Sequence, residues 1–108
     1  MEKMSTTARR QIFEFGHFGE MERFISLYKD LFVPYAAETI NEKRRYDKKY
    51  NASGLKEFGK ATYEEGYYLS GGMLNCKMEP ESLKEILATG MFRKEKVRRN
   101  CYKYVYVG

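Results

Sequence analysis

Apolar and polar positions along this chain follow two different periods, and the change between them falls just past its middle. From Glu20 onward, Phe24, Leu27, Tyr28 and Leu31 recur at the spacing of one helical face. Upstream, Ser5-Thr6-Thr7 can cap a short helix over 8–15, which Gly16 and Gly19 then break. Pro34 has no N–H to donate and disfavours helix in Val33, so the second helix should end or kink there. The same proline suits the first position of a further helix reaching about Tyr50. Ala36, Ala37 and Ile40 give that helix a thin apolar face, and the run Glu42-Lys-Arg-Arg-Tyr-Asp-Lys-Lys that follows is too polar to be buried. A loop over 51–54 leads to a weaker helix over 55–65, anchored by Leu55 and Phe58 and closed by Gly66.

Beyond Gly66 the period shortens to two. Tyr67-Tyr-Leu-Ser70 and Met73-Leu-Asn-Cys76 flank Gly71-Gly72, the pattern of a hairpin about a two-residue turn. Pro80 opens a helix over 80–89 with Leu83, Ile86 and Leu87 on its apolar face, and Gly90 closes it. Two last strands, over 91–97 and 101–107, pair around Arg98-Arg99-Asn100. In the second of these, Tyr102, Tyr104 and Tyr106 fall on one face, with Cys101, Lys103, Val105 and Val107 on the other. The expected fold is α+β: one domain over 1–108, with N-terminal helices followed by a small antiparallel sheet that ends in a C-terminal β-hairpin.

Composition agrees with one globular domain: 108 residues, 43% hydrophobic and 32% charged, with ten Tyr and seven Phe. No apolar run approaches the roughly 18 residues of a membrane span, and Met1 to Arg10 lacks an apolar signal core. Cys76 and Cys101 show no pairing pattern, so both are expected as free, buried thiols in a cytoplasmic protein.

Charge adds more. Arg93, Lys94, Lys96, Arg98, Arg99 and Lys103 stand against Glu95 alone, so residues 91–108 carry +5. Residues 43–60 carry another +5, and everything else sums to −5. Catalytic chemistry finds little to work with. His17 is the sole histidine, two cysteines cannot build a zinc finger, and no phosphate-binding glycine loop is present. Glu64 and Glu65 are neighbours that point apart on a helix. The expectation is a binding protein without a cofactor and not an enzyme.

Charge on an edge strand discourages aggregation, but one or two cations suffice for that. Six of one sign within 91–103 repel each other and favour an anionic partner. The candidate contact set is therefore Arg93, Lys94, Lys96, Arg98, Arg99 and Lys103. Tyr102 and Tyr104 join it, either stacking on bases or packing in the core. Lys43, Arg44, Arg45, Lys48 and Lys49 form a second stripe, which serves a partner or simply complements a helix C-terminus.

The segment Ser82-Leu-Lys-Glu-Ile-Leu-Ala-Thr-Gly90-Met-Phe-Arg-Lys-Glu-Lys-Val-Arg-Arg-Asn-Cys-Tyr-Lys-Tyr-Val-Tyr-Val107 resembles the end of a winged helix-turn-helix domain. The resemblance covers residues 82–107. It implies that Glu81 and Lys84 face a major groove, with Lys96, Arg98 and Arg99 at the tip of a basic wing. The favoured function is thus a small basic protein contacting nucleic acid or a nucleoprotein complex, with no membrane role. The alternative is an interaction module of a phage or mobile element. Such a module would dock on an acidic surface to inhibit or regulate a host machine such as a CRISPR effector.

Overall fold

A computed structural model describes residues 7–41, 62–70 and 73–108. The chain opens with a strand. Residues Arg9–Glu14 form β1, where a capped helix over 8–15 is the expectation from sequence. Gln11, Phe13 and Phe15 alternate with Arg10, Ile12 and Glu14, a period of two that a strand can satisfy on both faces. Thr7 does not cap a helix; its hydroxyl donates to the Glu79 carboxylate.

Helix α1 spans Phe18–Tyr28, with His17 at its N-cap and the Glu20 carboxylate accepting the His17 N–H at 3.3 Å. A 3-10 turn over Lys29–Leu31 follows, and the chain is extended by Phe32, just ahead of Pro34. Met21 and Phe24 are buried, whereas Leu27, expected on the apolar face, is 68% exposed. Helix α2 begins at 37, three residues after Pro34, and its described part ends at 41. A second 3-10 turn, Tyr63–Glu65, closes on the left-handed Gly66. Strand β2 (Tyr67–Ser70), strand β3 (Met73–Met78), helix α3 (Pro80–Leu87), strand β4 (Phe92–Arg98) and strand β5 (Cys101–Tyr106) complete the order. The Gly71-Gly72 turn lies outside the described residues.

The strands of the described residues form one five-stranded sheet in the order β2-β3-β1-β5-β4. β1 runs antiparallel to β3 but parallel to β5, so the sheet is mixed. The expected plan of helices first and an antiparallel sheet last is therefore overturned. The first strand lies at the centre, and the last strand joins it there.

Pairing assigns the faces, because directly opposed residues project to the same side. Phe13 opposes Leu74 and Tyr104, and Tyr67 opposes Cys76. These residues share one core with Met21 and Phe24 of α1, Ile86 of α3 and Met78. Phe13 is its hub: it is fully buried, with ring centroids of Phe24, Phe92 and Tyr104 at 4.9, 5.2 and 5.5 Å. On the opposite face a smaller cluster of Tyr35, Tyr63 and Tyr68 covers the β2–β3 end.

Candidate nucleic-acid interface

β4 and β5 oppose each other from Phe92↔Tyr106 to Arg98↔Cys101, with a bulge at Val97. Lys94 opposes Tyr104 and Lys96 opposes Tyr102, which puts both lysines on the helix-bearing face. Arg93, opposite Val105, and Glu95, opposite Lys103, stand on the other face. The bulge adds one residue and so turns Arg98 onto that second face with Cys101. Asn100 closes the turn at φ 61°, a left-handed conformation in which Asn is enriched.

The six hairpin cations are not equivalent. Arg93 Nε donates to Glu95 Oε2 at 2.9 Å, and Lys103 Nζ meets Glu14 Oε1 at 2.6 Å. Both positive charges are offset inside the sheet, and the Glu14 hydrogen bond raises the Lys103 pKa above its ordinary value. Among the described residues, no carboxylate lies within ion-pair distance of Lys94, Lys96, Arg98 or Arg99. The uncompensated charge therefore gathers at the turn end of the hairpin.

The tyrosines divide as well. Tyr104 is 6% exposed and belongs to the core, so its ring is packed against Phe13. Tyr106 packs on Phe15 and Phe92, each at 5.5 Å. Tyr102 is 43% exposed and carries the Lys94 ammonium over its ring at 4.5 Å. That cation–π contact holds Lys94 beside the one stacking surface of the stripe.

A slot adjoins this corner. β1 pairs with β5 only at Phe13↔Tyr104 and Glu14↔Val105, although each strand is paired along its length on its other side. Where the ladder stops, a cavity of about 220 Å³ opens between Arg10, Gln11 and Ile12 on one side and Lys94, Asn100, Cys101 and Tyr102 on the other. Arg10 is held in place by its own hydrogen bond to Tyr68, Nη1 to Oη 3.3 Å, which raises its pKa further. Among the described residues, no carboxylate lines the slot. A larger hollow of about 710 Å³ between α1 and β2 is lined by apolar residues such as Met21, Ile25 and Leu69, with Arg23 the one cation among its described lining residues.

Arg93, Lys94, Lys96, Arg98, Arg99, Lys103 and Tyr102 thus share one hairpin, with the free charge and Tyr102 at its turn end. Lys43, Arg44, Arg45, Lys48 and Lys49 lie outside the described residues. Glu81 and Lys84 are exposed on α3. Arg10 and Gln11 escape a sequence reading that places 8–15 in a helix, and Asn100 was read there only as part of the last turn. The signal for Arg10 and Gln11 was the alternation of Gln11, Phe13 and Phe15 ending at Gly16. Comparison with protein-family models, with curated proteins and with solved structures finds no match for the chain.

Proposed function

We propose that this protein binds nucleic acid, contacting phosphates through the turn end of the β4–β5 hairpin, and that it is a binder without catalytic chemistry. The observation that carries the reading is the group Lys94, Lys96, Arg98 and Arg99, which no carboxylate within the described residues offsets, gathered around the exposed Tyr102. Cations left unpaired at one corner repel each other in the free protein, and phosphates relieve that repulsion while releasing counterions. The inventory of potential catalysts is small. The sole histidine caps α1, Cys76 is buried in the core, and the described residues contain no cluster that could hold a metal ion.

The test is a salt series with duplex DNA, single-stranded DNA and RNA. If all four cations meet phosphates, log K falls against log salt with a slope of about −3 to −4. Replacing Arg98 and Arg99 by Ala together should flatten the slope by about 1.5 to 2. Absence of binding to every form at about 50 mM salt, where such contacts are strong, overturns the reading. A preference for duplex DNA would favour the winged-helix arrangement, with Lys84 and Glu81 of α3 at the groove.

One observation favours the second reading, a regulatory module of phage or mobile-element type. Among the described residues β4 is an edge strand whose outer side has no strand partner, and it carries Arg93, Lys94, Lys96 and Arg98. An acidic extended segment of a protein partner could add to that edge. Binding of a poly-glutamate peptide in place of nucleic acid would support it.

A further inference from the structure

We infer that the slot between β1 and β5 seats one phosphate of an unpaired nucleic-acid strand, with the neighbouring base stacked on Tyr102. The inference rests on the nucleic-acid reading above and names the form of the ligand. Three observations meet here. The slot is a break in the sheet itself, opened because the β1–β5 ladder extends over only two residue pairs. Its lining suits an anion: Lys94 brings positive charge on the helix-bearing side, Gln11 and Asn100 bring amide donors, and no carboxylate is among the described lining residues, while the Arg10 guanidinium turns to the opposite face to meet Tyr68. Tyr102 forms part of the lining and is 43% exposed, so a base attached to the seated phosphate has a ring beside it.

Shape separates single strands from duplex. The cavity of about 220 Å³ is recessed between two strands, so the phosphate must turn inward with its sugar. A single strand can make that turn and splay the adjoining base, whereas a duplex keeps its bases stacked inside. Lys96, Arg98 and Arg99 would then follow the backbone beyond the slot. Lys94 serves both parts, since its ammonium lies 4.5 Å from the Tyr102 ring centroid while it lines the slot.

The experiment compares fluorescent single-stranded RNA, single-stranded DNA and the matching duplex by anisotropy, using wild type, Lys94→Gln, Tyr102→Leu and Asn100→Gly. Asn100→Gly keeps access to the left-handed turn conformation while removing the amide. Single strands should bind at least about ten-fold tighter than duplex, and Tyr102→Leu should cost them about five-fold or more. Lys94→Gln should flatten the single-strand salt slope by about 0.7. Uridine 5′-monophosphate, titrated against the wild type, should shift the backbone amide signals of Gln11, Asn100 and Cys101. Equal or tighter binding of duplex overturns the inference but leaves the nucleic-acid reading standing. So does unchanged affinity in all three variants while the Arg98 and Arg99 replacement weakens binding. Unmoved amide signals on titration overturn the slot independently of any variant's folding. Failure to bind any nucleic acid removes both.

Discussion

Lys103 on β5 reaches across the parallel joint of the sheet to Glu14 on β1, Nζ to Oε1 2.6 Å. The pair sits at the two-residue ladder that joins the first strand to the last. It also takes Lys103 out of the free charge of the hairpin. Lys103→Met should therefore leave the nucleic-acid salt slope nearly unchanged, where the paired Arg98 and Arg99 replacement flattens it. Both side chains are half-buried and Glu14 Oε1 is buried, so losing its cation should lower the melting temperature more than loss of an exposed ion pair would. A loss of slope matching that of the arginine variant would show that Lys103 meets phosphate.

Phe13 is fully buried with three aromatic rings within 5.5 Å. Truncation leaves a cavity under both α1 and β5, so Phe13→Ala should cost about 3–5 kcal/mol. Phe13→Leu keeps most of the volume and should cost clearly less. Urea titration of the two variants checks the order, and equal losses would argue against ring packing as the cause.

Gly66 is at φ 94°, and a Cβ there would stand 2.7 Å from Phe32 Cβ and 2.8 Å from the Val33 carbonyl oxygen. The Gly66 carbonyl also accepts the Lys77 N–H at 3.0 Å, and the Lys77 carbonyl accepts the Val33 N–H at 2.7 Å. Gly66→Ala therefore meets two penalties: about 1–2 kcal/mol for the left-handed backbone and about 1–3 kcal/mol for crowding. Gly90 has φ 78° but open space around it, so Gly90→Ala should lose only the backbone part. Thermal melts of the pair separate strain from collision.

Cys76 and Cys101 are both free, but they differ in access. Cys76 is fully buried in the core and Cys101 half-buried at the slot. A thiol reagent should label Cys101 in the native protein and reach Cys76 only on unfolding. Mass spectrometry of the labelled peptides tests this, and equal labelling of both would contradict the core placement.

Burial pushes the Cys76 thiol well above its ordinary value of 9.0, and burial beside Tyr68 raises the Tyr35 hydroxyl in the same direction. Both are acids that hold their protons longer when folded than when unfolded. Their contribution to stability is thus complete below the ordinary thiol pKa and falls as pH rises from there. Melting temperature should be flat near neutrality and decline above about pH 9, by at most about 1.4 kcal/mol per pH unit for each group. Cys76→Ala should lower stability at neutral pH yet soften the first part of that decline.

The β-rich half was legible in the sequence because each of its signals is local. Gly71-Gly72 sits between short alternating runs, Pro80 starts α3, and Asn100 permits the last turn. The first strand was not. Over 8–15 the helical and extended patterns compete, and a Ser-Thr-Thr run beside them imitates a cap. What decides the matter is distant in sequence: Phe13 needs Leu74 on one flank and Tyr104 on the other. The hairpin cations could be listed from sequence, but their division into offset and free could not, since Glu14 lies far away along the chain. The slot was invisible for the same reason, being made by the end of a ladder between strands far apart in sequence.

β1 in the middle of the sheet also sets an order of assembly. Its partners are β3 and β5, and the hub contact joins Phe13 to Tyr104. During synthesis, β1 emerges well before β5 and must wait for it before its second edge is covered. Contacts so distant along the chain slow folding. Until they close, the exposed edge of β1 is where self-association would begin.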